Sequence, residues 1–121
     1  MEGREESGIL IALSEARRER LDVPVTFDRR ELDQILRVYG TMVAAGEWRD
    51  YAIDHMRDEA VFSVYRRTSE VPLFRIVKTP KLRARQGAYS VVAATGAILK
   101  RGHELARVLG VFDSKLKLVK A

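Results

Sequence analysis

With 121 residues, 46% of them hydrophobic and 32% charged, the chain has the material for one core and is too short for two ordinary domains. It has no cysteine, which excludes disulfides, thiolate zinc sites and a cysteine nucleophile. The net charge of +5 hides a split: residues 1–65 hold 9 Lys/Arg against 14 Asp/Glu, and residues 66–121 hold 13 against 3. Asymmetry of that kind points to an anionic partner or to self-complementary packing.

Residues 1–23 read as an appendage, frayed at its polar start. Ile9, Leu10, Leu13, Ala16 and Leu21 allow a short helix over residues 9–21, with Arg17, Arg18 and Arg20 at the end where the helix dipole favours cations. The apolar run at 9–13 lies between Glu5, Glu6 and Glu15, so a secretory signal is not expected. No apolar run approaches the roughly 20 residues that span a bilayer, and no membrane partner is expected. Residues 24–121 are read as a single domain.

The clearest helix starts at Asp28. Asp28 and Glu31 have capping-box spacing, Phe27 and Leu32 have hydrophobic-staple spacing, and Leu32, Ile35, Leu36, Tyr39, Met42 and Val43 follow a helical period up to Gly46. Three segments rich in Val, Ile, Tyr and Phe follow, at 51–56, 61–66 and 73–78, joined by turns at Arg57-Asp58-Glu59 and Thr68-Ser69-Glu70. They predict an antiparallel meander, and apolar residues on both faces predict that its central strand is at least partly covered on both sides. Pro80 ends the meander. Residues 81–87 form a basic connection, either loop or one helical turn. Residues 89–94 and 97–101 flank Thr95-Gly96 as a further hairpin, with a helix through 93–99 as the alternative that Gly96 disfavours. Leu105, Val108, Leu109, Phe112, Leu116 and Val119 fit a C-terminal amphipathic helix that Gly110 and Asp113-Ser114 are placed to break. The expected fold is α+β: a small antiparallel sheet of about four or five strands with two main helices packed on it.

The basic tract from Arg66 to Arg85 is the strongest functional signal, because cations bind phosphates and neighbouring aromatic rings can stack on bases. Tyr65, Phe74 and Tyr89 occupy apolar strand positions, however, so they are assigned to the core. Acids of the first hairpin are expected to offset part of the tract, which leaves Lys81, Arg83, Arg85, Lys100 and Arg101 as the candidate binding residues. Trp48, the only tryptophan, is either an exposed anchor or, by burial trends, a lid over the end of the core. His55 beside Asp54, and His103 beside Glu104, lack the spacing of a metal site, and no nucleophile elbow or phosphate loop is present. No metal, cofactor or catalytic residue is assigned. An enzyme is the third choice, and it requires Asp54, His55, Trp48 and Arg101 to meet in one pocket.

Val25-Thr26-Phe27-Asp28-Arg29-Arg30-Glu31-Leu32, Ala44-Ala45-Gly46-Glu47-Trp48-Arg49-Asp50-Tyr51-Ala52-Ile53-Asp54-His55, Ala60-Val61-Phe62-Ser63-Val64, Gln86-Gly87-Ala88-Tyr89-Ser90-Val91-Val92-Ala93-Ala94 and Ile98-Leu99-Lys100-Arg101-Gly102-His103 carry a resemblance. From residue 24 to 120 the chain resembles a family of short, uncharacterised alphaproteobacterial proteins classed as a domain of unknown function. The resemblance implies a bacterial, cytoplasmic protein and transfers no activity. Two readings follow: a non-enzymatic binding or adaptor module whose basic surface engages nucleic acid or an acidic protein, or a self-associating regulatory module whose acidic and basic halves meet across a homo-oligomeric interface.

Overall fold

The computed structural model describes residues 23–67 and 71–113. The readings made for residues 1–22, for the turn at Thr68-Ser69-Glu70 and for the chain after Asp113 lie outside the described residues. Helix α1 spans Arg29–Ala44. Its start is fixed locally: the Asp28 side chain accepts from the Glu31 N–H at 2.9 Å, and the Glu31 side chain accepts from the Asp28 N–H at 2.8 Å. This reciprocal pair satisfies two of the N–H groups that every helix start leaves orphaned. Its end is equally local, because Gly46 takes φ +80 and its N–H reaches the Val43 carbonyl at 2.9 Å.

Five strands follow, β1 (Asp50–His55), β2 (Ala60–Tyr65), β3 (Phe74–Lys78), β4 (Tyr89–Ala93) and β5 (Ile98–Gly102), all antiparallel and paired in the order β1-β2-β3-β4-β5. The β4–β5 hairpin predicted around Gly96 is present, with a bulge between Val91 and Val92. The 81–87 connection opens as a 3₁₀ turn over Pro80–Leu82. Helix α2 spans Leu105–Leu109 and Gly110 caps it, so the break expected at Gly110 falls where the sequence placed it.

One face of the sheet carries Ala60, Phe62, Val64, Ile76 and Val91, all buried, and α1 and α2 cover it with Ile35, Met42, Leu105, Val108 and Leu109. Burying each of the larger side chains contributes about 1.5–3 kcal/mol. Trp48 is 1% exposed and meets Phe112 edge-on at 4.9 Å, while Phe112 meets Phe74 at 5.2 Å. The tryptophan is therefore a core residue, as the burial trend suggested, and the anchor reading falls. On the opposite face Val61 and Val77 are register partners outside the helix-facing cluster, yet only 3% and 7% exposed. β2, the central strand of the predicted meander, is thus buried on both faces.

The stripe of α1 is narrower than its sequence suggests. Leu32, Ile35, Tyr39 and Met42 face the core, whereas Leu36 and Val43 stay 38% and 40% exposed. These two are seven residues apart and share one flank, beyond the sheet that Ile35 and Met42 reach.

Candidate functional site

The sheet register decides which cations meet. Ala60, Lys78, Tyr89 and Gly102 lie in one row at one end of the sheet, while Tyr65, Phe74 and Ala93 lie towards the other. The ends are separated by the length of β2, roughly 17 Å from the rise per residue. The basic tract is accordingly divided. Arg66 and Arg67 follow β2 at one end, Arg75 is the second residue of β3, and Lys81, Arg83 and Arg85 sit at the other end.

The second of these ends is the better organised. After Thr79, the N–H groups of Arg85, Gln86 and Gly87 all converge on the Leu82 carbonyl at 2.9–3.1 Å, which folds the basic connection into a compact turn. Gly87 takes φ +99, and a Cβ there would fall on the backbone carbonyl of Gly102. Only glycine permits that approach, and it brings the turn against the end of β5. There the Arg101 guanidinium donates to the Gln86 side-chain oxygen at 2.5 Å, with its Nε buried and unpartnered. Lys81, Arg83 and Arg85 are exposed around this contact. Lys81 lies 3.9 Å from Asp58; with both side chains about two-thirds exposed, the pair neutralises little.

Lys100 does not join this group. It pairs with Val91, which faces the helices, whereas Arg101 pairs with Ser90 on the other face. Of the five candidate residues, the fold gathers Lys81, Arg83, Arg85 and Arg101 at one corner and leaves Lys100 across the sheet edge from them.

Beneath the corner is a polar cluster that sequence reasoning did not find. Glu31 is 7% exposed, and its carboxylate accepts from Lys78 Nζ at 2.8 Å and from the Tyr89 hydroxyl, in addition to the Asp28 N–H. Lys78 also donates to the Thr26 carbonyl at 2.8 Å. Burial, then the Glu31 hydrogen bond and the charges of Glu31 and Asp28, push the Tyr89 hydroxyl well above the usual tyrosine range, and Arg83 pulls the other way. Tyr89 is thus a neutral donor, and the Lys78 charge is spent on Glu31. The signal available in the sequence was a lysine closing an apolar strand and a capping-box glutamate three elements earlier.

At the opposite end a shallow cleft of about 600 Å³ is lined by Val43, Gly46, Trp48, Arg49, Arg66 and Arg67. Glu47 holds Arg66 at 3.3 Å, and Asp50 borders the adjoining cleft, so acids temper its charge. The quartet proposed for an enzyme is scattered. Asp54 and Arg101 end the same five-strand row, some 19 Å apart by strand spacing, and Trp48 is enclosed at the far end. Among the described residues no three His, Asp or Glu side chains gather as a metal would require, and no helix is long and apolar enough to cross a membrane.

No curated protein and no solved structure matches the chain. A family does: its model matches residues 25–109, from the segment entering the α1 cap to the last residue of α2. The chain therefore belongs to the family described as "Protein of unknown function (DUF2794)".

Proposed function

We propose that the protein is a non-enzymatic anion-binding module whose corner of Lys81, Arg83, Arg85 and Arg101 engages the phosphate backbone of a nucleic acid. The observation that carries the reading is the placement of Lys81, Arg83 and Arg85 on the turn that the Gly87–Gly102 contact holds against β5, where Arg101 bonds to Gln86, with Asp58 only weakly paired to Lys81. An acidic protein partner is less well supported, because protein interfaces generally have an apolar centre. Within the turn only the half-buried Leu82 and the small Ala84 are apolar. Nor do the aromatic rings near the corner form a stacking platform, since Tyr89 is engaged by Glu31. Binding is therefore expected to be electrostatic and tolerant of sequence. A bacterial cytoplasm, as the resemblance to alphaproteobacterial proteins implies, is rich in such partners.

Fluorescence anisotropy with labelled duplex and single-stranded oligonucleotides across a salt series tests the reading. Up to four phosphate contacts give a slope of log K against log salt of roughly −3 to −4 for a duplex. The variant R83E/R85E should lose binding at low salt while keeping its fold. If the native protein binds neither oligonucleotide at low salt, the reading is wrong. If R83E/R85E binds as well as the native chain, the cations of the opposite cleft become the site instead.

A further inference from the structure

Because strand order equals chain order, the charge split of the sequence is laid out sideways across the sheet. The edge strand β1 carries Asp50 and Asp54 and no cation, and the other edge strand β5 carries Lys100 and Arg101 and no acid. No described strand pairs with the outer edge of either one, and although the Tyr51 N–H on β1 is taken by the carboxylate of Asp50 at 2.8 Å, both edges are open to a further strand among the described residues. Large apolar residues are exposed at both edges: Tyr51 at 40% and the adjoining Met56 at 43% on one side, Ile98 at 53% and Leu99 at 39% on the other.

From this geometry we infer that the chain associates with further copies of itself head to tail, β1 of one copy adding to β5 of the next. Edge charges commonly keep sheets from pairing. That protection works between like edges: β1 against β1 would bring aspartates together, and β5 against β5 would bring cations together. Opposite charges on the two edges give no protection between unlike edges and instead steer them towards each other. The contact is heterologous, so it propagates into rings or open chains and does not stop at a two-fold dimer. A single short strand pair buries less than a standard interface, which makes the association weak and dependent on concentration and salt.

Sedimentation velocity of the full chain over a concentration series, at about 20 mM and about 500 mM salt, provides the first test. The average mass should rise with concentration at low salt and fall back to the monomer at high salt. Two charge-reversed variants, D50K/D54K and K100E/R101E, provide the second. The first has two basic edges and the second two acidic edges, so each alone should be monomeric and an equimolar mixture should associate again. That recovery also demonstrates that both variants are folded. A monomer at every concentration at low salt overturns the inference. So does self-association of either variant at the native level, or a mixture that remains monomeric. The measurement uses no nucleic acid, so its outcome is independent of the anion-binding proposal.

Discussion

Removing the Glu31 carboxylate tests the buried cluster most directly. The substitution E31A deletes three accepted hydrogen bonds at once, from Asp28 N–H, Lys78 Nζ and Tyr89 OH. It leaves Lys78, whose side chain is 15% exposed, with only the Thr26 carbonyl. Breaking a fully buried pair from one side costs about 3–5 kcal/mol. Lys78 retains some access to water, so the lower end of that range, about 3 kcal/mol, applies to E31A. K78M leaves the carboxylate with its two other donors and should cost less, about 2 kcal/mol. In the double variant neither charge is stranded, and its loss should fall short of the summed single losses by about 1–2 kcal/mol. Urea denaturation of the four proteins, with m unchanged across the set, measures this coupling. Additivity within about 0.5 kcal/mol would refute the claim that the two side chains act as one unit.

Three further outcomes are expected. G87A should cost roughly 3 kcal/mol or more, from a strained positive φ plus collision with Gly102, whereas G96A, with φ +93 but no neighbour within 4 Å, should cost about 1 kcal/mol; equal losses in thermal or urea unfolding would contradict the close-approach argument. The raised Tyr89 pKa means that its contribution to stability is complete below pH 10, near the unfolded value of 10.0, and is lost as pH rises towards the folded value; the native protein should therefore lose stability faster than Y89F in alkaline titration, and parallel curves would argue against it. Trp48, at 1% exposure, should emit at short wavelength and resist quenching by acrylamide, and W48A should cost about 3–5 kcal/mol; a red-shifted, readily quenched native spectrum would place the ring in solvent.

What the sequence disclosed depended on the range of the interaction involved. The ends of α1 were legible because Asp28 and Glu31 are three residues apart and Gly46 acts on its own turn. The hairpins were legible because each turn joins strands that pair with one another. Leu36 and Val43 misled because periodicity identifies an apolar side of a helix, not how far the sheet beneath it extends. Glu31 was seen only as a cap, because its bonds to Lys78 and Tyr89 span 47 and 58 residues. Among the candidate cations, Arg101 was joined to the 81–87 turn by Gly87, whose contact with Gly102 no local pattern announces. Lys100 is separated from its neighbour by strand alternation, a local property of the hairpin.

The Phe112–Trp48 contact also bears on how the molecule forms. Every strand pairing joins consecutive segments, so the sheet can assemble by successive short loop closures, the kind of topology that folds quickly. The seam between the start of the sheet and the end of the described chain is different, because Phe112 must return across 64 positions of sequence to cover Trp48. We expect this to be the slow, late event of folding and, on a ribosome, one that waits until Phe112 has emerged. Stopped-flow refolding followed through the single tryptophan reports on this step: its fluorescence should reach the native value after far-ultraviolet ellipticity has done so, and coincident traces would exclude that order.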